Sequence, residues 1–132
     1  MMTKSPSGAL SPYYYKGGYF HGIHYGSYFD DTVALLDMID KEELFILKSP
    51  EKRRILIDFY ETNLTQPVLK RVIQHLRQLS PKIIKLAIAS DRKSLRHIAK
   101  AMKAIGELKP GRYYLCTDME EGKTWLVSDN YK

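Results

Sequence analysis

A single cysteine, Cys116, stands in 132 residues, so an intrachain disulfide is excluded and a reducing compartment is the expectation. It lies in the apolar run Tyr113 to Cys116, where buried packing is expected of it. No apolar run approaches the roughly 20 residues that cross a bilayer, and the opening MMTKSPSGALSP has no hydrophobic signal core. A soluble, unprocessed, cytoplasmic protein is therefore expected. Also missing are a phosphate-binding glycine loop, an HExxH pair and carboxylates at catalytic spacing. No enzymatic site, metal or cofactor is expected from such a chain. His21 and His24 are three apart in an alternating segment, hence on opposite faces, which is wrong for shared metal ligation. His75 and His97 fall at the polar side or border of two separate helices.

Acidic residues are scarce between positions 70 and 112. Only Asp91 and Glu107 stand there against twelve Lys and Arg, a net +10, so the rest of the chain carries −4 of the total +6. Such a split attracts anionic partners or orients self-association.

What the chain has is a cadence, repeated from Arg53 to Val127: a β-branched apolar run, a polar break with a helix cap, then an amphipathic helix. Strands alternating with helices of this length indicate a single α/β domain with a mixed, mostly parallel sheet of four to five strands. Residues 1–16, small, polar and Pro/Gly-bearing, read as a flexible lead-in to a domain over 17–132. The first strand is expected at Gly18 to Tyr25, at a sheet edge, with Tyr19, His21, Ile23 and Tyr25 on one face. Ser27 and Asp30 have capping-box spacing, so a helix is predicted from about Tyr28; Asp40 and Glu43 repeat the signature, which predicts a second short helical piece to Lys48, or an extended Leu44 to Lys48.

RRILIDFY, apolar on both faces at its centre, reads as a central parallel strand. Asn63, Thr65 and Pro67 open a helix whose buried stripe is Val68, Leu69, Val72, Ile73, Leu76 and Leu79. KIIKLAIA is the next strand, and Ser90 or Asp91 caps a helix with Leu95, Ile98, Ala99, Met102 and Ile105 inward. RYYLCT is the last strand, followed by a capping box, Asp118 and Glu121, and a short helix ending in Trp125-Leu126.

RILIDFYETNL, KIIKLAIAS and RYYLCTDMEEGKTWL, in this order, resemble the STAS-like group typified by the sporulation anti-anti-sigma factor, closest to its SpoIIAA-like branch. The likeness spans about residues 17 to 127, and Arg112, Tyr113, Asp118, Glu121, Trp125 and Leu126 match that branch's closing strand and helix. It implies a small non-enzymatic regulatory domain in a bacterial-type cytosol, binding a protein partner or a copy of itself as a homodimer. Phosphorylatable members carry Asp-Ser-Ser-Gly after the central strand; here Glu61 to Pro67 has no serine, so the sigma-factor pathway does not transfer. Thr65 is the sole candidate for phosphorylation, with a capping role as the plain alternative. Lipid-transfer relatives of the fold imply a second reading, an apolar or anionic lipid-like ligand in a pocket lined by Phe29, Leu36, Phe59 and Trp125.

Three surfaces carry the remaining expectations. Ser90, Arg92, Lys93 and Ser94 join two hydroxyls and two cations at a helix start, suited to an anion unless Asp91 already occupies that potential. Lys70, Arg71 and Arg77 on one helix, with Arg96, Lys100 and Lys103 on the next, form basic faces for a phosphate backbone, an anionic membrane or solvent alone. Opposite-side helices would split that patch. Tyr13, Tyr14, Tyr15, Tyr19 and Tyr25 suit a protein interface or packing on their own domain.

Overall fold

The computed structural model of the chain describes residues 3–8 and 10–128; Met1, Met2 and Ala9 of the expected lead-in and residues 129–132 lie outside the described residues. In chain order the elements are β1 (Thr3–Lys4), β2 (Leu10–Ser11), β3 (Tyr13–Tyr15), β4 (Gly18–His24), α1 (Thr32–Lys48) and β5 (Arg53–Asp58). They continue with α2 (Gln66–Leu79), a 3₁₀ turn over Ser80–Lys82, β6 (Ile83–Ala89), α3 (Arg92–Met102), β7 (Tyr113–Cys116) and α4 (Met119–Val127). The main sheet has five strands in the order β3-β4-β5-β6-β7; β3 pairs antiparallel with β4 and the other pairs are parallel. The α/β class and the mostly parallel mixed sheet are those read from the periodicity.

Strand order along this sheet is sequential, so crossovers of one hand deposit their helices on one face. The core follows suit. Ile23, Ile55, Ile57, Leu86 and Ile88 join the buried residues of α1, α2 and α3 in a large cluster, whereas Phe20, Leu56 and Ala87 meet Leu126 and Val127 of α4 in a smaller one. Residues of β5 alternate between the two clusters, which is why its sequence is apolar throughout.

Four expectations need correction. The segment read as a lead-in carries three strands: β1 and β2 pair with each other, β3 joins the main sheet, and Ser5 and Ser11 are buried. Its polar residues find long-range partners, which a local reading of composition cannot detect. Second, β4 is not an edge strand, because Lys16 and Gly17, at φ 44° and 90°, make a two-residue reversal that returns β3 along it. Third, α1 is one 17-residue helix capped by Asp31, whose carboxylate accepts from Ala34 N at 3.1 Å. Ser27 and Phe29 take positive φ instead of starting a helix, and Asp40 and Glu43 spend their carboxylates on Arg71 and His75 rather than on a new N-terminus. Fourth, His75 is not on a polar border but fully buried.

Gly122 lets α4 approach the sheet. A Cβ there would stand 2.9 Å from Cys116 Sγ and 3.4 Å from Leu56 Cδ1. Gly122→Val should therefore destabilise the fold by about 1–3 kcal/mol through overpacking, read as a lower denaturation midpoint with an unchanged denaturant slope; an unaltered midpoint would refute this close packing.

Candidate functional site

With α1, α2 and α3 in one layer, the basic faces of α2 and α3 are not split by the sheet. Between those two helices runs a groove of about 850 Å³, floored by Leu69, Ile73, Ala101 and Ala104 and rimmed by Lys70, His97 and Lys100. Arg92, Lys93, Arg96 and Lys103 are exposed on α3 and its end, and none of them, nor Lys70 or Lys100, makes an ion pair among the described residues. Two predicted cations drop out of this set. Arg71 is held by Asp40 at 2.8 Å and by Glu43 at 3.3 Å, and Arg77 donates to Ala104 O and lies 3.8 Å from Glu107.

The expected anion tip does not assemble. Ser90 is fully buried with no hydrogen-bond partner for its hydroxyl among the described residues, while Ser94 donates its N–H (2.8 Å) and its hydroxyl (3.0 Å) to Asp91. Those bonds, the Ser94 backbone first, hold the Asp91 carboxyl below its usual value, so a carboxylate already fills the helix start. Arg92 and Lys93 belong instead to the open basic face. Thr65 is the N-cap of α2 by its backbone, and its side chain makes no capping hydrogen bond.

On the outer side of α1, opposite its buried stripe, Val33, Leu44 and Leu47 are exposed at 81%, 56% and 39%, with Asp37 and Asp40 between them. Their spacing is i, i+4, i+7, i+11 and i+14, one continuous stripe. It is apolar with two carboxylates, Asp37 paired with Lys41 at 3.0 Å and Asp40 with Arg71 at 2.8 Å, where the groove is apolar and basic.

The tyrosines divide. Tyr13, Tyr14 and Tyr19 are exposed on β3 and β4, Tyr14 and Tyr19 edge to face at 5.2 Å, whereas Tyr15 is half-buried and donates to Glu120 at 2.8 Å. Tyr25 is not an interface residue. It is fully buried, its hydroxyl 2.9 Å from His75 Nε2, because strand alternation turns it toward α2. The four residues expected to line one pocket also separate: Phe59 is core, Leu36 packs against that core, Phe29 is 60% exposed and Trp125 stacks on Tyr114.

Sequence reasoning missed three histidine–carboxylate pairs. His75 Nδ1 lies 3.0 Å from Glu43, and burial pushes the ring below its ordinary pKa although Glu43 opposes this. The bond from His75, joined by Arg71, in turn holds Glu43 below the usual carboxylate value. His21, on the α1 face of β4, lies 3.1 Å from Glu42 through Nε2 and 2.5 Å from Ser11 Oγ through Nδ1. Serine, imidazole and carboxylate stand in the order of a nucleophilic relay. Their capacity, however, is filled from within the chain: Arg53 donates to Ser11 Oγ at 2.7 Å, and Ser7 gives both its N–H and its hydroxyl to Glu42. All three members are under 5% exposed. The cluster is a clamp that fastens the N-terminal strands to α1. Burial pushes Glu42 upward, but the bonds from His21 and Ser7 outweigh it and leave the group below its usual value. Alternation of β4 and the neighbouring acids Glu42 and Glu43 were the available signal for these pairs.

The third pair, His24 and Asp58, sits on the other sheet face. His24 Nδ1 is 2.9 and 3.0 Å from the two carboxylate oxygens, with side-chain exposures of 53% for His24 and 8% for Asp58. Cys116 is a buried thiol pushed up to about 11 by burial, and so unreactive at neutral pH.

Comparison with protein families, with curated proteins and with solved structures found no match to this chain. No helix among the described residues is long and apolar enough to cross a membrane.

Burial raises Asp58 above its ordinary value, His24 opposing. A carboxyl whose pKa is higher folded than unfolded stabilises the fold below its unfolded value, and that contribution is lost as pH rises through the folded one. Asp58→Asn should then raise the melting temperature by a few degrees at pH 7 and change it little at pH 3. A drop at pH 7 would show that the pair is net stabilising.

Proposed function

We propose that this chain is a STAS-like domain that works without catalysis, as an interaction module in a bacterial-type cytosol, and that its partner is a second copy of itself. One observation carries the reading: the helical layer presents both halves of an interface, the acidic-apolar stripe of α1 and the basic-apolar groove between α2 and α3. Two such layers related by a two-fold axis set each α1 over the partner's groove, and the contact closes on itself.

Magnitudes support it. Three helices about 10 Å apart and roughly 20 Å long offer a face of order 600 Å² in plan, comparable with the ≈ 800 Å² of accessible surface that each side of a standard interface buries. Val33, Leu44 and Leu47 each contribute up to about 1.5–3 kcal/mol on burial. Rim contacts of Lys70 or Lys100 with Asp37 or Asp40, which already pair with Lys41 and Arg71 within the chain, add about 0–1 kcal/mol each, so they select register and orientation more than affinity.

Sedimentation velocity at micromolar concentration should find a dimer that weakens as salt rises. Leu44→Asp with Leu47→Asp should yield a folded monomer, and Lys70→Glu with Lys100→Glu should weaken association at least tenfold. A wild-type monomer at 200 µM in low salt would overturn the proposal. So would a dimer indifferent to both pairs of changes but lost with Tyr14→Ser and Tyr19→Ser, or basic faces that capture duplex DNA in preference to a second copy.

A further inference from the structure

The second face of the sheet carries one helix among the described residues, α4, of 9 residues and about 13 Å, which packs on Phe20, Leu56 and Ala87. Beside α4, over β4 and β5, lies a cleft of about 360 Å³. Phe20, Leu56 and Met119 give it an apolar lining, Tyr13 flanks it with its ring 5.4 Å from that of Phe20, and His24 and Asp58 supply its polar end. Gly22 lies between Phe20 and His24 on β4, so the strand contributes no side chain where any other residue would fill the space.

The chemistry at the polar end is specific. Asp58 spends both oxygens on His24 Nδ1, so an ionised Asp58 holds the ring as an Nδ1–H donor. The atom left for a ligand is His24 Nε2, which has no partner among the described residues and in that tautomer is an acceptor. An anionic headgroup fits poorly, because Lys123 is already bonded to Glu120 at 3.0 Å and Asp58 stands behind the imidazole. A neutral hydrogen-bond donor on a flat apolar body fits. Cavities of about 150 Å³ admit one benzene ring, so this cleft has room for two fused rings.

We propose that the cleft between β4, β5 and α4 is a binding site for a small aromatic alcohol, its rings against Phe20, Leu56 and Met119 and its hydroxyl donating to His24 Nε2. The cleft lies on the side of the sheet away from the helical layer, so this site and the self-pairing surface are separate. The raised pKa of Asp58 agrees with a carboxylate kept under burial for a purpose other than stability.

The test uses the full chain with 2-naphthol and its methyl ether, which keeps the rings and loses the donor, titrated by calorimetry and by the ¹H–¹⁵N spectrum at pH 7.5. The naphthol should bind at least tenfold more tightly than the ether, with shifts centred on residues 20–24 and 56–58. His24→Phe should abolish that tenfold preference while leaving ring binding. Gly22→Val should abolish binding of both compounds, its fold checked by circular dichroism. Equal affinity for the two compounds, no binding of either by the folded wild type, or undiminished binding by Gly22→Val would each overturn the assignment.

Discussion

A run of parallel strands added in one direction leaves the crossovers no choice of side. β4, β5, β6 and β7 follow one another across the sheet, so α1, α2 and α3 are stacked on one face and only α4 is available for the other. Two consequences follow from this single geometric rule. The cations of α2 and α3 lie on neighbouring helices of one layer instead of being divided by the sheet. The opposite face is covered by one short helix, and the cleft beside Phe20 and Leu56 lies next to it.

Histidine–carboxylate pairs tie these elements together. Each of His21, His24 and His75 meets a carboxylate, and two of these carboxylates, Glu42 and Glu43, come from adjacent positions of α1. Because successive helical positions diverge by about 100°, the two acids point to different neighbours: Glu42 to β4 and the N-terminal strands, Glu43 to α2. The helix is thereby pinned in rotation as well as in position. In the one of these pairs that is buried on both sides, His21–Glu42, removing the histidine costs about 3–5 kcal/mol, since the carboxylate stays buried without it.

How much of this is legible in the sequence depends on the range of the interaction. β5 and β6 are readable because strand periodicity is local, and the stripes of α2 and α3 because helical spacing is. The strands of the N-terminal segment are not, for Ser7 finds Glu42 thirty-five positions away and Ser11 finds His21 across a turn. The continuity of α1 through Asp40 and Glu43 is hidden for the same reason: a capping pattern is indistinguishable, in one dimension, from two carboxylates bound for another helix. Of the candidate residues, Lys70 and Lys100 line one groove as surface cations, whereas Ser90 and Tyr25 were drawn into the interior by alternation that their polar groups did not advertise. His24 and Asp58 could not be paired without the register that sets β4 beside β5.

The proposed pairing of two helical layers would set Asp37 and Asp40 of one copy near Lys70 and Lys100 of the other. Its most direct measurement mixes isotopically heavy and light protein, joins carboxylates to lysines with a zero-length cross-linker, and identifies the heavy–light products by mass spectrometry. Links between Asp37 or Asp40 of one copy and Lys70 or Lys100 of the other are the predicted result. Heavy–light links confined to the exposed tyrosine edge, or none at concentrations where the protein self-associates, would contradict it.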